Sequence, residues 1–196
     1  MMRRLYRMGL TTTSGGNISA VWNGLTLITS SQTDKANMKA REIGIIDEAG
    51  NNLTPALKLS METGMHQAIY QTRPDVKAIV HAHPPFSTAF AVAGKTINTS
   101  LMGESWAVLQ QPVVAPYALM GSEELAQKVA RAATQSDIIL MANHGVVALG
   151  SNILEAFDRI EVLENCAKVN ILVQLLGSSK SLDTQQQNDI NQLFGK

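Results

Sequence analysis

Cysteine, net charge, long apolar runs and histidine are all scarce in this sequence. The single cysteine, Cys166, leaves no internal disulfide and no cysteine-rich structural zinc site, which fits a reducing compartment. It lies in a segment with helical patterning, 162–167, and reads as a small packing residue. Lys plus Arg total 16, as do Asp plus Glu, so no basic field gathers nucleic acid or an anionic membrane surface. The one basic cluster, Arg3-Arg4, runs into Leu5, Tyr6 and Met8 rather than a continuous apolar core with a cleavage site. No secretory signal is expected, and a cytoplasmic location is. Hydrophobic residues at 45% and charged residues at 16% give a globular balance without a membrane-length run. Nucleotide fingerprints are missing too, since the glycines after Ser14 lead into neither Gly-Lys-Ser/Thr nor G-x-G-x-x-G.

With 196 residues the chain can bury one full core, and a single domain over 1–196 is expected. Short strand-like runs, each bounded by Gly, Asn, Asp or Pro, fall at 18–21, 25–28, 43–46, 78–81, 112–115, 138–141 and 146–149. Asn23-Gly24 predicts a tight hairpin between the first two. Helical periodicity covers 63–72, 85–93, 122–133 and 153–176, the third opening with Ser122-Glu123-Glu124 as cap and dipole partners. The long fourth helix has a broad apolar face through Leu154, Phe157, Ile160, Leu163 and Ala167, which a partner or the sheet must cover. From Gly177 the composition turns polar, predicting a loosely held C-terminal helix or tail over 177–196. The class is α/β, with a mostly antiparallel sheet flanked by helices.

Two of the four histidines, His81 and His83, end the apolar run 78–80. Residues i and i+2 of a strand share a face, and neutral imidazole is the commonest zinc ligand, so the pair points to a metal. His144 ends the apolar run 138–141 and would supply a third ring. Three histidines without cysteines suit an open catalytic site, whose fourth position is left to a carboxylate, water or substrate. Glu62 stands at a helix start with His66 one turn later. Glu62 reads equally as a dipole partner, and His66 more as a core histidine bonded to backbone than as a ligand. The turn Ser14-Gly15-Gly16-Asn17 offers backbone N–H groups and an amide to phosphate, or is only a turn. Ser30-Ser31 either hold phosphate or cap a helix suggested over 34–41.

Five segments together, Gly16-Asn17-Ile18-Ser19, Ser60-x-Glu62 with Met65-His66, Arg73-Pro74-Asp75-Val76, His81-x-His83-Pro84 and Asn143-His144-Gly145, resemble in order and spacing the class II aldolase/adducin family. The resemblance runs from about Leu5 to Val173, with a shortened N-terminal helix. It implies a three-layer αβα fold and a homotetramer with active sites between subunits. It also implies a Zn2+ site, open to other divalent cations, made by His81, His83 and His144, with Glu62 as base. Phosphate of a small sugar phosphate would rest on Gly16, Asn17, Ser30, Ser31 and Ser60. The implied activity is an aldehyde-lyase that cleaves a short ketose 1-phosphate to dihydroxyacetone phosphate and an aldehyde through a zinc-stabilised enediolate. Relatives with the same triad act as epimerases, dehydratases or decarboxylases, and an adducin-like module keeps only the fold. The sequence departs from the family at three places. Met61 replaces a serine, Ser30-Ser31-Gln32 stands where Pro-Ser/Thr-Gly is usual, and Met102 falls where the fuculose-phosphate aldolases carry a tyrosine, with Glu104 the only acid nearby.

Overall fold

Asn23 and Gly24 both take positive φ, 49° and 78°, as a two-residue type I′ turn requires. The turn joins strands β1 (Asn17–Trp22) and β2 (Leu25–Thr29) as antiparallel neighbours, with Trp22 opposite Leu25. The remaining strands are β3 (Ile43–Ile46), β4 (Ala78–Ala82), β5 (Val113–Ala115), β6 (Ile138–Met141) and β7 (Gly145–Gly150). They form one sheet in the order β3-β2-β1-β4-β7-β6-β5. The helices are α1 (Met2–Arg7), α2 (Thr63–Thr72), α3 (Pro85–Ala93), α4 (Gly103–Leu109), α5 (Glu123–Ala133), α6 (Ile153–Leu175) and α7 (Thr184–Leu193). The structure, a computed structural model, describes residues 1–195. No helix among them is long and apolar enough to cross a membrane.

The sheet is mixed, since β5 runs parallel to β6 while every other pairing is antiparallel. The parallel pair follows from its connection, because α5 crosses between the two strands and a crossover brings the chain back in the same direction. The central strands β4 and β7 are buried at every position, as strands covered on both faces are. Alternation divides their side chains between two cores. Ala78, Val80 and Ala82 join Phe157, Ile160 and Leu163 of α6 and Phe90 of α3 on one side. Ile79, Val147 and Leu149 join Met65 and Ile69 of α2 and Leu125 and Val129 of α5 on the other. His81 is two residues on from Ile79 and therefore emerges on the α2 side.

The sheet is the cover that the α6 face takes: Phe157, Ile160, Leu163, Cys166 and Ala167 are all fully buried against the chain's own sheet and helices, while Leu154, 60% exposed, stays outside. Each large side chain hidden in this way contributes about 1.5–3 kcal/mol. No α-helix forms over 34–41. The Asp34 carboxylate accepts from the Ala36 N–H and the Asn37 amide, a local turn that competes with helix, and only a 3-10 turn follows at Ala40–Glu42. The polar C-terminal stretch forms the expected terminal helix, none of whose residues is buried. Asp183 and Gln186 form a capping box on α7, and Trp106 of α4 donates its indole N–H to Asn191 Oδ1 at 3.1 Å. The short helix α4 lacks the length for a periodic signal and was not anticipated, whereas α1 stands where the resemblance implies a shortened N-terminal helix.

Arg73, at the end of α2, shows what its Arg-Pro-Asp segment does locally. Its guanidinium bonds Asp75, Asp137 and the Ala133 carbonyl, tying α2 to the end of α5 and the start of β6.

Candidate metal centre

Three elements deliver three imidazoles to one corner of the sheet. His81 lies within β4, His83 follows just beyond its last residue with its N–H bonded to the Leu10 carbonyl, and His144 sits in the tight turn between β6 and β7. Asn143 takes φ 56° to make that turn, which the asparagine side chain tolerates. The ring centroids lie 4.7, 4.9 and 5.4 Å apart, and one nitrogen from each ring falls within 4.8 Å of the others. Glu62, the N-cap residue of α2, brings its carboxylate to 3.0 Å from His81 Nε2 and 3.4 Å from His144 Nε2.

The chemistry of this donor set fits a cation. His81 Nδ1–H donates to the Val146 carbonyl at 2.9 Å, which leaves Nε2 as a lone pair in the neutral ring. That lone pair faces His83 Nε2 at 3.1 Å and the Glu62 carboxylate at 3.0 Å. Acceptors converging at such distances repel unless positive charge, an ion or a proton, lies between them. Two atoms are left over as well: His144 Nδ1 and Glu62 Oε2 are buried without a well-directed hydrogen bond. The triad can therefore hold a metal ion.

The electrostatics carry the same message. Burial by itself would raise the Glu62 carboxyl, but the rings of His81, His144 and His66 outweigh it and hold the group down to about 2, so the carboxylate is ionised at neutral pH. Burial lowers His83 to about 3, with His81 and His144 adding to the effect, and lowers His144 likewise. His81 moves the other way. Its desolvation is outweighed by the Glu62 charge and hydrogen bond and by the Val146 carbonyl. Positive charge in this corner concentrates where the carboxylate is.

The glycine turn closes against these rings. A Cβ on Gly15 would come within 2.9 Å of His83 Nδ1, and one on Gly16, at φ 63°, within 2.7 Å of the His81 carbonyl. Gly145 is equally constrained, since its Cβ would meet His83 Cδ2 at 2.5 Å. Only glycine lets the three backbone segments approach this closely. Asn17 follows directly and pairs with His81 across β1 and β4.

The hydroxyl candidates divide. Ser31 takes its backbone N–H to the Lys58 carbonyl, and Ser30 bridges to Leu59, so the end of β2 lies beside the segment leading to Ser60 and Glu62. The Ser30 hydroxyl donates to the Glu42 carbonyl at 2.7 Å, which leaves it no proton for an anion. Ser60 Oγ accepts from the Glu62 N–H at 3.3 Å and keeps its own proton available. Met102 is half-buried and packs against the core, and Glu104 is exposed in the first turn of α4.

Sequence reasoning missed two residues here and misread the hydrogen-bond partners of a third. Lys35 is 1% exposed, and its ammonium donates to the Ser30 carbonyl at 2.7 Å and to Thr33 Oγ1 at 3.2 Å. Its place after an exposed Asp34 gave no sign of burial. Glu164 of α6 accepts from the Phe86 and Ser87 N–H groups and the Ser87 hydroxyl, capping α3 directly after His83-Pro84. His66 is a core histidine as expected, but its ring bonds side chains, Asn17 and Ser19, rather than backbone. An i+4 spacing from Glu62 was its only signal.

Comparison with known proteins agrees with this geometry. Residues 1–171 match the family model described as class II aldolase and adducin N-terminal domain. An L-fuculose phosphate aldolase of Methanococcus maripaludis is 35% identical over 164 residues, covering 84% of this chain and 88% of its own length. A 3-oxo-tetronate 4-phosphate decarboxylase of Haemophilus influenzae is 30% identical over 177 residues, covering 88% and 84%. A solved L-fuculose 1-phosphate aldolase superposes with a TM-score of 0.89 at 33% identity, over 100% of this chain and 92% of its own. By sequence match, fold and triad together, the chain belongs to the class II aldolase and adducin family.

Proposed function

We propose that the protein is a metal-dependent aldehyde-lyase that cleaves a short ketose 1-phosphate to dihydroxyacetone phosphate and an aldehyde. The observation that carries this reading is the convergence of His81, His83 and His144 beside the ionised Glu62. His81, His83 and His144 would hold the ion, with Zn2+ favoured by an all-imidazole set. A bound dication supplies Lewis acidity at the substrate's carbonyl and neighbouring oxygen, worth several kcal/mol in the transition state. Glu62, ionised at neutral pH, moves the proton at the carbon next to the carbonyl. Gly16, Asn17, Ser31 and Ser60 form the phosphate end, with the Ser30 backbone shaping it.

A second reading uses the same residues for epimerisation, dehydration or decarboxylation. The similarity to a protein named as a 3-oxo-tetronate 4-phosphate decarboxylase supports it, as do Met61 and Gln32 in the phosphate end and Met102 in place of a tyrosine. Product analysis on a panel of ketose phosphates separates the two, because only the lyase releases two carbon fragments. An adducin-like module without catalysis would leave the three histidines idle. About one metal ion per purified chain supports the enzyme, and none supports the module.

The same reading includes a cytoplasmic homotetramer with sites between subunits. Met61, Tyr117, Leu119 and Met120 are each more than half exposed, and Gly121 approaches Met61 closely, so they form an apolar patch beside Glu62 that assembly would cover. A monomer by light scattering at micromolar concentration would contradict it.

A further inference from the structure

Asn17 is buried at the head of β1, and its amide reaches the site only from one end. Its Oδ1 lies 2.5 Å from His66 Nε2, His66 Nδ1 lies 2.6 Å from Ser19 Oγ, and Ser19 Oγ lies 2.7 Å from the Tyr70 hydroxyl. His66 has no exposure at all. Burial, with His81 nearby, holds its ring down to about 3, so it is neutral and has one N–H and one lone pair.

Two proton arrangements satisfy this chain. In the first, Tyr70 donates to Ser19, Ser19 donates to His66 Nδ1, and His66 Nε2–H donates to Asn17 Oδ1. In the second every bond reverses. The Tyr70 proton then has no protein acceptor, since Ser19 is its one hydrogen-bond partner among the described residues, and Asn17 would have to turn its NH2 toward the ring. The first uses every proton with the atoms as they stand. It also leaves Asn17 Nδ2 donating to no protein atom among the described residues, beside the Gly16 turn and His81.

We propose that His66 is a positioning residue. Fixed as the Nε2–H tautomer by Ser19 and Tyr70, it grips Asn17 Oδ1 and so turns the Asn17 NH2 into the site as a donor for a phosphate group. An asparagine free to rotate would present its carbonyl oxygen to the same anion in part of the population and repel it. The ligand side of this inference rests on the sugar-phosphate reading above; the tautomer does not.

The test joins two measurements on the full chain. Nitrogen-15 NMR of labelled histidine at neutral pH is expected to place the His66 proton on Nε2, and a proton on Nδ1 would overturn the proposal even if no variant folds. Calorimetric titration with inorganic phosphate is then run on the wild type, Asn17→Ala, His66→Leu and His66→Gln. Asn17→Ala and His66→Leu are expected to weaken binding about tenfold or more, the scale of a lost hydrogen bond to a charged group. His66→Gln, whose amide can still donate to Asn17, should recover to within about threefold. A folded His66→Leu that binds as the wild type does, while Asn17→Ala fails, removes His66 from the mechanism and leaves the phosphate site standing. Unchanged binding in Asn17→Ala removes the phosphate role of Asn17, and this proposal's ligand with it.

Discussion

The histidine corner and the proposed phosphate end of this site are built from different kinds of structure. His81 and His144 stand on β4 and on the turn of the β6-β7 hairpin, strands whose register fixes where each ring points. The segment after β2 has no such frame. Ser30 to Lys35 is held by a buried ammonium, one left-handed residue and hydrogen bonds to neighbouring loops. A change in the first region should abolish function, whereas a change in the second should tune it.

Replacing a central ligand gives the largest expected effect. His81→Ala removes a ring that is 1% exposed, together with the Glu62 contact, and should reduce metal to well below one ion per chain. Activity should fall at least about a thousandfold, since several kcal/mol of transition-state stabilisation go with the ion. Elemental analysis beside kcat/KM checks both. If metal stays near one equivalent, the three rings are not the ligand set. Glu62→Gln is expected to be gentler on the metal and to lower kcat by about a hundredfold to ten-thousandfold, the range for losing a general base. A kcat near the wild-type value would mean that another group moves the proton.

The same contrast explains what could be read from the sequence. His81, His83 and His144 were legible because strand alternation and the apolar runs before them constrain where a side chain goes. The strands and the four long helices were legible for the same reason. Lys35, Glu164 and the His66 ring bonds were not, because each depends on contacts between segments far apart in the chain, such as Glu164 reaching back 78 residues to Phe86. The absent helix over 34–41 shows local competition, since Asp34 and Asn37 bond each other in a turn. The parallel β5-β6 pair shows topology overriding the pattern of short strands.

Within the phosphate end, Lys35 offers a pH test. Burial lowers its ammonium to about 8, with Glu42 offsetting part of the effect, against 10.5 in the unfolded chain. Between those pH values the unfolded chain binds more protons, so stability rises with pH; below 8 both states are protonated and the buried charge is a constant penalty. Other groups titrate in this range too, so the comparison is with Lys35→Met. The wild type should gain on the variant by up to about 3 kcal/mol from pH 8 to pH 10.5, read by denaturant unfolding. A constant difference between the two would mean that Lys35 is solvated, and that the loop is not organised around a buried cation.

Gln32 should give the smallest effect and bears most directly on how the loop is held. It is exposed and takes φ 56°, where a side chain costs about 1–2 kcal/mol relative to the right-handed region. Glycine avoids that cost but loses about 0.5–1 kcal/mol of additional chain entropy on folding. The balance favours Gln32→Gly by up to about 1 kcal/mol, visible as a higher denaturant midpoint at unchanged slope. Because Gln32 adjoins Ser31 at the proposed phosphate end, the same variant separates two roles for this side chain. A stability gain with unchanged phosphate affinity makes Gln32 only a strained substitute for glycine. A gain accompanied by altered affinity means that the glutamine side chain reaches the ligand, and that this part of the site is built for a group other than the one a glycine turn would accept.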